Sequence, residues 1–184
     1  CLPTSFHQLH KGGLPLRLEA GQRGSRFEAK WFYSARDELR TFIIRYRVRD
    51  GIMSYPDVSE LYWQAVGDGW SKPTERAEVT VSLPQPLAAA SDMLVYGHGP
   101  LSGMSEIVDS RTARFTAADI PAGQYLEIRV VWPSGLVAGV AATGLSREAI
   151  RAEEERFVQE TIERGIQTRG AATGRKRAVR RWLV

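Results

Sequence analysis

The sequence predicts an all-β fold, an antiparallel β-sandwich (immunoglobulin-like), with a C-terminal amphipathic helix. Three observations carry this expectation. In 41–48, Phe42, Ile44, Tyr46 and Val48 alternate with Thr41, Arg45 and Arg47, the period of two of a strand with one wet face. Other short alternating runs follow, separated by turn residues and by no helical crossover, which favours an antiparallel sandwich over a parallel sheet. Trp63 and Trp70 bracket a Gly67-Asp68-Gly69 turn, an aromatic packing device between strands.

The elements read in order as follows. Residues 1–15, with Pro3, Gly12, Gly13 and Pro15, have no period and read as an irregular lead-in. A hairpin follows: Leu16 and Leu18, a turn near Gly21 and Gly24, then Phe27, Ala29, Trp31 and Tyr33 alternating with Arg26, Glu28 and Lys30. The arginines of 41–49 face outward and protect the strand from edge pairing. In 58–66, Leu61, Trp63 and Ala65 form a core face opposed to Glu60, Tyr62 and Gln64. Gly67 and Gly69 then supply freedom for a tight reversal. Val79, Val81 and Leu83 make the next inward face, and Pro84 and Pro86 end that strand. Short, turn-rich strands occupy 93–116, and 124–132 places Leu126, Ile128, Val130 and Trp132 inward with Glu127 and Arg129 outward. The sandwich domain is therefore 16–144.

The helix spans 145–165. Ser146 is a suitable N-cap and Gly165 a suitable stop. Its apolar stripe, Ile150, Phe157, Val158 and Ile162, is narrow, fit to rest on a surface or a partner helix. Residues 166–184 form a basic tail. After Arg164 there are six cations and no acid, so removing them from the net charge of +4 leaves −2 for the rest. A polycation confined to one terminus argues for a local task there rather than a basic binding face.

Composition sets further bounds. With 184 residues, 43% hydrophobic and 25% charged, the chain has the makings of one globular core with an appendage. A single cysteine, Cys1, excludes an intrachain disulfide; its terminal position also suits a lipidated N-terminus or a truncation point.

No catalytic set emerges. His7, His10 and His98 are the only histidines and lack the ligand spacing of a zinc site, so no metal and no cofactor is expected. Ser102 and His98 lack a nucleophile elbow. Asp57, Glu60 and Asp68 suggest a carboxylate pair or a calcium loop, but their spacing fits neither, and outward charges near turns account for them. Trp63 belongs to the core, which leaves Trp70 and Tyr62 as the candidate binding residues. Arg175, Lys176, Arg177, Arg180 and Arg181 before Trp182 match the basic and aromatic flank of a membrane span. Binding of nucleic acid through the tail is the weaker alternative for the same residues.

The strand 41–48, Glu60-Leu61-Tyr62-Trp63 with Gly67, Gly69 and Trp70, then Pro73, Leu83-Pro84, Tyr96-Gly97 and Trp132-Pro133-Ser134-Gly135 together resemble a family of predicted membrane proteins. Its extracytoplasmic part is called domain of unknown function twenty-two-oh-seven. The resemblance spans roughly 16–139 and implies a β-sandwich outside the cytoplasm followed by transmembrane helices. It departs in that the family's opening strands are missing or lie before Cys1, in that no spanning segment is included, and in having Gln64 where Asn is expected. It implies no catalytic residues. The expectation is a non-catalytic extracytoplasmic binding or scaffolding module of a bacterial membrane protein, whose partners are cell-envelope proteins or polymers and, through the tail, the membrane surface. The rival is an enzyme acting on envelope polymers.

Overall fold

The structure, a computed structural model, describes residues 3–9, 17–24 and 26–163. The chain divides into two compact units, 1–51 and 52–184, with the division falling inside the stretch that periodicity reads as one sandwich.

The first unit consists of two-stranded ladders. β1 (Pro3–Leu9) pairs antiparallel with β4 (Ile43–Val48), and β2 (Arg17–Arg23) with β3 (Arg26–Phe32). The β2–β3 hairpin is the one expected, turning at Gly24, whose φ of +61° suits glycine. β1 lies in the stretch expected to be irregular. Its pattern is hidden by Pro3 and by a register shift between Pro3 and Ser5. The face of β4 expected to be buried is exposed instead: Phe42, Ile44 and Tyr46 all keep a third to a half of their surface. A two-stranded ladder gives a strand one neighbour and no second layer to cover its apolar face. Phe42 is partly sheltered by Trp31 and Tyr33, with ring centroids 5.7 and 4.7 Å away.

The second unit is the all-β body, with one helix. A five-stranded sheet has the order β12-β5-β6-β11-β8, from Val140–Ala141, Met53–Ser54, Val58–Val66, Leu126–Pro133 and Leu94–His98. A three-stranded sheet has the order β7-β10-β9, from Thr74–Ser82, Thr112–Ile120 and Met104–Ile107. Every pairing is antiparallel except β12 with β5, which is parallel. The sheets face each other across a core of Leu83, Met93, Phe115, Ile128, Val130 and Trp132, against which Leu61, Trp63, Val79 and Val81 pack. Those are the inward faces that the alternation predicts. A second core cluster, Tyr55, Val58, Val131 and Ile150, lies on the other face of the five-stranded sheet. Ile150 belongs to helix α1, whose described turns run 147–163.

The Gly67-Asp68-Gly69 segment is not a tight hairpin. β6 pairs with β5 and β11, whereas β7 pairs with β10, so 67–73 carries the chain from one sheet to the other. Neither glycine adopts a positive φ, and a side chain at either would meet open space. The segments 99–103 and 121–125 likewise change sheets. Pairing of Leu126 with Val66, Glu127 with His98, Ile120 with Thr74 and Thr116 with Met104 puts these three crossings at one end of the body. The connections 55–57, 83–93, 108–111 and 133–139 lie at the other end, and among them 83–93 is a fourth crossing, from β7 to β8.

Candidate functional site

β11 lies inside the five-stranded sheet, between β6 and β8, and its inner residues are buried on both faces. Alternation places Arg129 opposite the core side, as expected, but that side is roofed by α1 instead of being wet. Arg129 is 4% exposed. A guanidinium there must be paired, because an isolated buried charge is prohibitively costly.

Three carboxylates meet it. Its Nε donates to Glu60 Oε2 at 2.6 Å, and its Nη1 to Glu153 Oε2 at 2.8 Å and Glu154 Oε1 at 2.9 Å. Glu60 comes from β6, and Glu153 and Glu154 from α1. The guanidinium also lies over the Tyr62 ring, 5.4 Å from its centroid. Tyr55 Oη donates to the other Glu60 oxygen at 2.9 Å. Burial, then that bond to a carboxylate, pushes the Tyr55 phenol up to about 12.

Glu154 continues the network. His98 Nε2, at the end of β8, lies 2.8 Å from Glu154 Oε2, and His98 Nδ1 lies 3.4 Å from Tyr62 Oη. Tyr62 Oη itself donates to Glu127 Oε2 at 3.1 Å. A doubly protonated imidazole satisfies both of its contacts, donating to Glu154 and to the phenol oxygen. The hydrogen bond to Glu154 raises the His98 pKa against the opposing effect of burial. For Glu154, burial favours the neutral form, but the bonds from His98 and Arg129 outweigh it and lower the pKa. Phe157 of α1 covers the imidazole at 5.3 Å between ring centroids.

The start of the helix is fastened separately. Ser146 Oγ accepts from the Ala149 backbone N–H at 3.2 Å, the expected N-cap. Asp57 Oδ2 accepts from the Arg147 N–H at 3.0 Å, placing a carboxylate at the positive end of the helix. The Arg147 guanidinium donates to the carbonyls of Asp92 and Ser91.

Each sequence candidate now has a place. Glu60 is a correction: expected to face water, it is 4% exposed and pinned by Arg129. Asp57 caps the helix, and Asp68 stands on the exposed 67–73 crossing, so these three acids do not converge. Trp63 packs against the core, whereas Trp70 is 59% exposed on that crossing. Tyr62 is half exposed, with its hydroxyl committed to Glu127. Of the stripe read on the helix, Ile150 is fully buried, while Phe157, Val158 and Ile162 are exposed. Arg175, Lys176, Arg177, Arg180, Arg181 and Trp182 lie outside the described residues, as does His10. Among the described residues, no group of three His, Cys, Asp or Glu side chains is placed to hold a metal ion.

Of the cluster residues, Tyr55, Glu153 and Glu154 are not singled out by the sequence, and His98 is weighed there only for metal binding and nucleophilic chemistry. The available signal was the acidic run Glu153-Glu154-Glu155 in a helix following a strand that carries Arg129 on the side away from the core. No helix of the described residues is long and apolar enough to cross a membrane. No curated protein and no solved structure matches the chain. Residues 16–132 match the model of the predicted membrane protein (DUF2207) N-terminal domain, and the chain belongs to that family.

Proposed function

We propose that this chain is a non-catalytic extracytoplasmic binding or scaffolding module of a bacterial membrane protein, presenting its β-body to cell-envelope proteins or polymers close to the bilayer. One observation supports this above others: the carboxylates that converge in the body are spent on holding the helix to the sheet. Glu60 and Glu154 are buried and bound to Arg129, and Asp57 is bound to the helix start. A glycosidase needs two carboxyl groups flanking an accessible bond, one of them free to give up a proton. The cluster instead joins sheet and helix into one rigid element, as a scaffold requires.

Two measurements test the reading. In the full-length protein, Gln85→Cys should react with a membrane-impermeant maleimide on intact cells, above the level of the unsubstituted protein. Reaction only after lysis would put the module on the cytoplasmic side. Incubated with purified cell-wall sacculi, the chain should release no reducing ends. Release that Glu60→Gln abolishes would establish the envelope-polymer enzyme instead.

A further inference from the structure

The two ends of the body differ in what they expose. At the end of the three sheet crossings, Leu101 is 90% exposed, Met104 72%, Trp70 59% and Tyr125 41%. They are held together there by backbone contacts. Gly123 N–H donates to the Trp70 carbonyl at 3.0 Å, Gly99 backs onto the Tyr125 carbonyl, and Ser102 Oγ donates to the Ala118 carbonyl at 2.7 Å. At the opposite end, the large hydrophobic residues so exposed among the described residues are Val108 at 41% and Val140 at 38%. Singly exposed apolar side chains are ordinary, but four at one end, two of them aromatic, against two small valines at the other form a polarity of the body.

The helix shares that polarity. It starts beside Asp57 and Asp92, at the opposite end, and reaches His98 with Phe157. With a rise of about 1.5 Å per residue, the six residues beyond Phe157 carry it roughly 9 Å further in that direction. The sequence continuing from there holds Arg169, Arg175, Lys176, Arg177, Arg180 and Arg181 with no acidic residue, then Trp182. The aromatic and aliphatic loop tips thus stand at the end of the body toward which the described helix runs.

We infer that this end of the body, through Trp70, Leu101, Met104 and Tyr125, rests in the interface of a lipid bilayer with anionic headgroups. The inference rests on the reading of a bilayer-proximal module and names the surface involved. Trp and Tyr are suited to the interface, where an apolar ring and a polar tip are both satisfied. The tips carry Asp68, Lys72 and Asp119 and so bring no net attraction of their own. Attraction to anionic lipid comes from the six cations, since Lys and Arg are drawn to negatively charged headgroups. The loops then fix orientation, setting the body upright on the membrane with 83–93 and 133–139 farthest from it.

The test uses the whole 184-residue chain with Cys1→Ser and a C-terminal hexahistidine tag. It is held on phosphatidylglycerol-containing vesicles by a nickel-chelating lipid. An environment-sensitive fluorophore is attached at Ser71→Cys in one variant and at Gln85→Cys in another. Emission from position 71 is expected to shift to shorter wavelength and gain intensity on tethering, with no change at 85. Trp70→Ser with Leu101→Ser should abolish the shift, while far-UV circular dichroism confirms the fold. No shift at 71, or equal shifts at both positions, overturns the inference. Sidedness is read by the maleimide experiment on cells and does not depend on this result, so the two readings fail separately.

Discussion

Arg129 is the residue on which the body and its helix turn. Three glutamates approach one guanidinium, so removing the cation leaves buried carboxylates without a counter-charge, which is the costly way to break an ion cluster. Arg129→Met is expected to destabilise the chain by about 3–5 kcal/mol, read as a lower urea midpoint. If its stability stays within about 1 kcal/mol of wild type, the cluster is not holding the helix. A backbone counterpart lies nearby at Gly99. Its φ is +146°, and a Cβ there would sit 2.5 Å from the Tyr125 carbonyl oxygen. Gly99→Ala should cost more than about 1 kcal/mol in the same assay, since the strain has no flexible side chain to relieve it. At this scale the sequence was partly legible. Alternation assigned Arg129, Glu60 and Tyr62 to the correct face of their strands. It could not say what covered that face, because a period of two reports sidedness and not the number of layers.

The helix as an element is governed by two titrations of opposite sign. His98 has its pKa raised from the ordinary 6.5, chiefly by its bond to Glu154. Its contribution to stability is therefore complete below about 6.5 and disappears as pH rises through the raised value. Glu154 resists burial through its bonds to His98 and Arg129, and its pKa falls below the ordinary 4.5. Its contribution is complete above about 4.5 and disappears as pH falls through the lowered value. Docking of the helix should be firmest between those limits and loosen on both sides. Urea midpoints measured across pH should form a dome, and His98→Gln should flatten its alkaline flank. An unchanged alkaline flank in that variant would assign the loss to another group. The helix start, by contrast, was legible: Ser146 caps it as its residue type suggests, because capping is local chemistry. The tie to Asp57 was not, since it joins residues ninety positions apart.

For the molecule as a whole, residues 1–51 and 52–184 have different grounds for stability. Among the described residues, the clusters of buried apolar side chains draw their members from the second unit, and the ladders of that unit close within it. The first unit has two-stranded ladders and leaves Phe32, Tyr33, Phe42, Ile43, Ile44 and Tyr46 exposed. Isolated two-stranded ladders are marginal in water, whereas two sheets packed on a shared core are not. The sequence gives no hint of this difference, since β4 alternates as regularly as β7 and only the presence of a facing layer separates them. The match to the DUF2207 model, at 16–132, also runs across the boundary. Deleting 1–51 should therefore leave a chain with dispersed amide resonances and a single cooperative urea transition at a midpoint near that of the intact protein. The reciprocal fragment, 1–51 alone, should show collapsed dispersion and no cooperative transition. If 1–51 folds alone, its two-stranded ladders are sufficient for stability; if 52–184 loses its dispersion on deletion, stability is not partitioned at Gly51. In that event the apolar face of β4 has to be counted as part of the structural core.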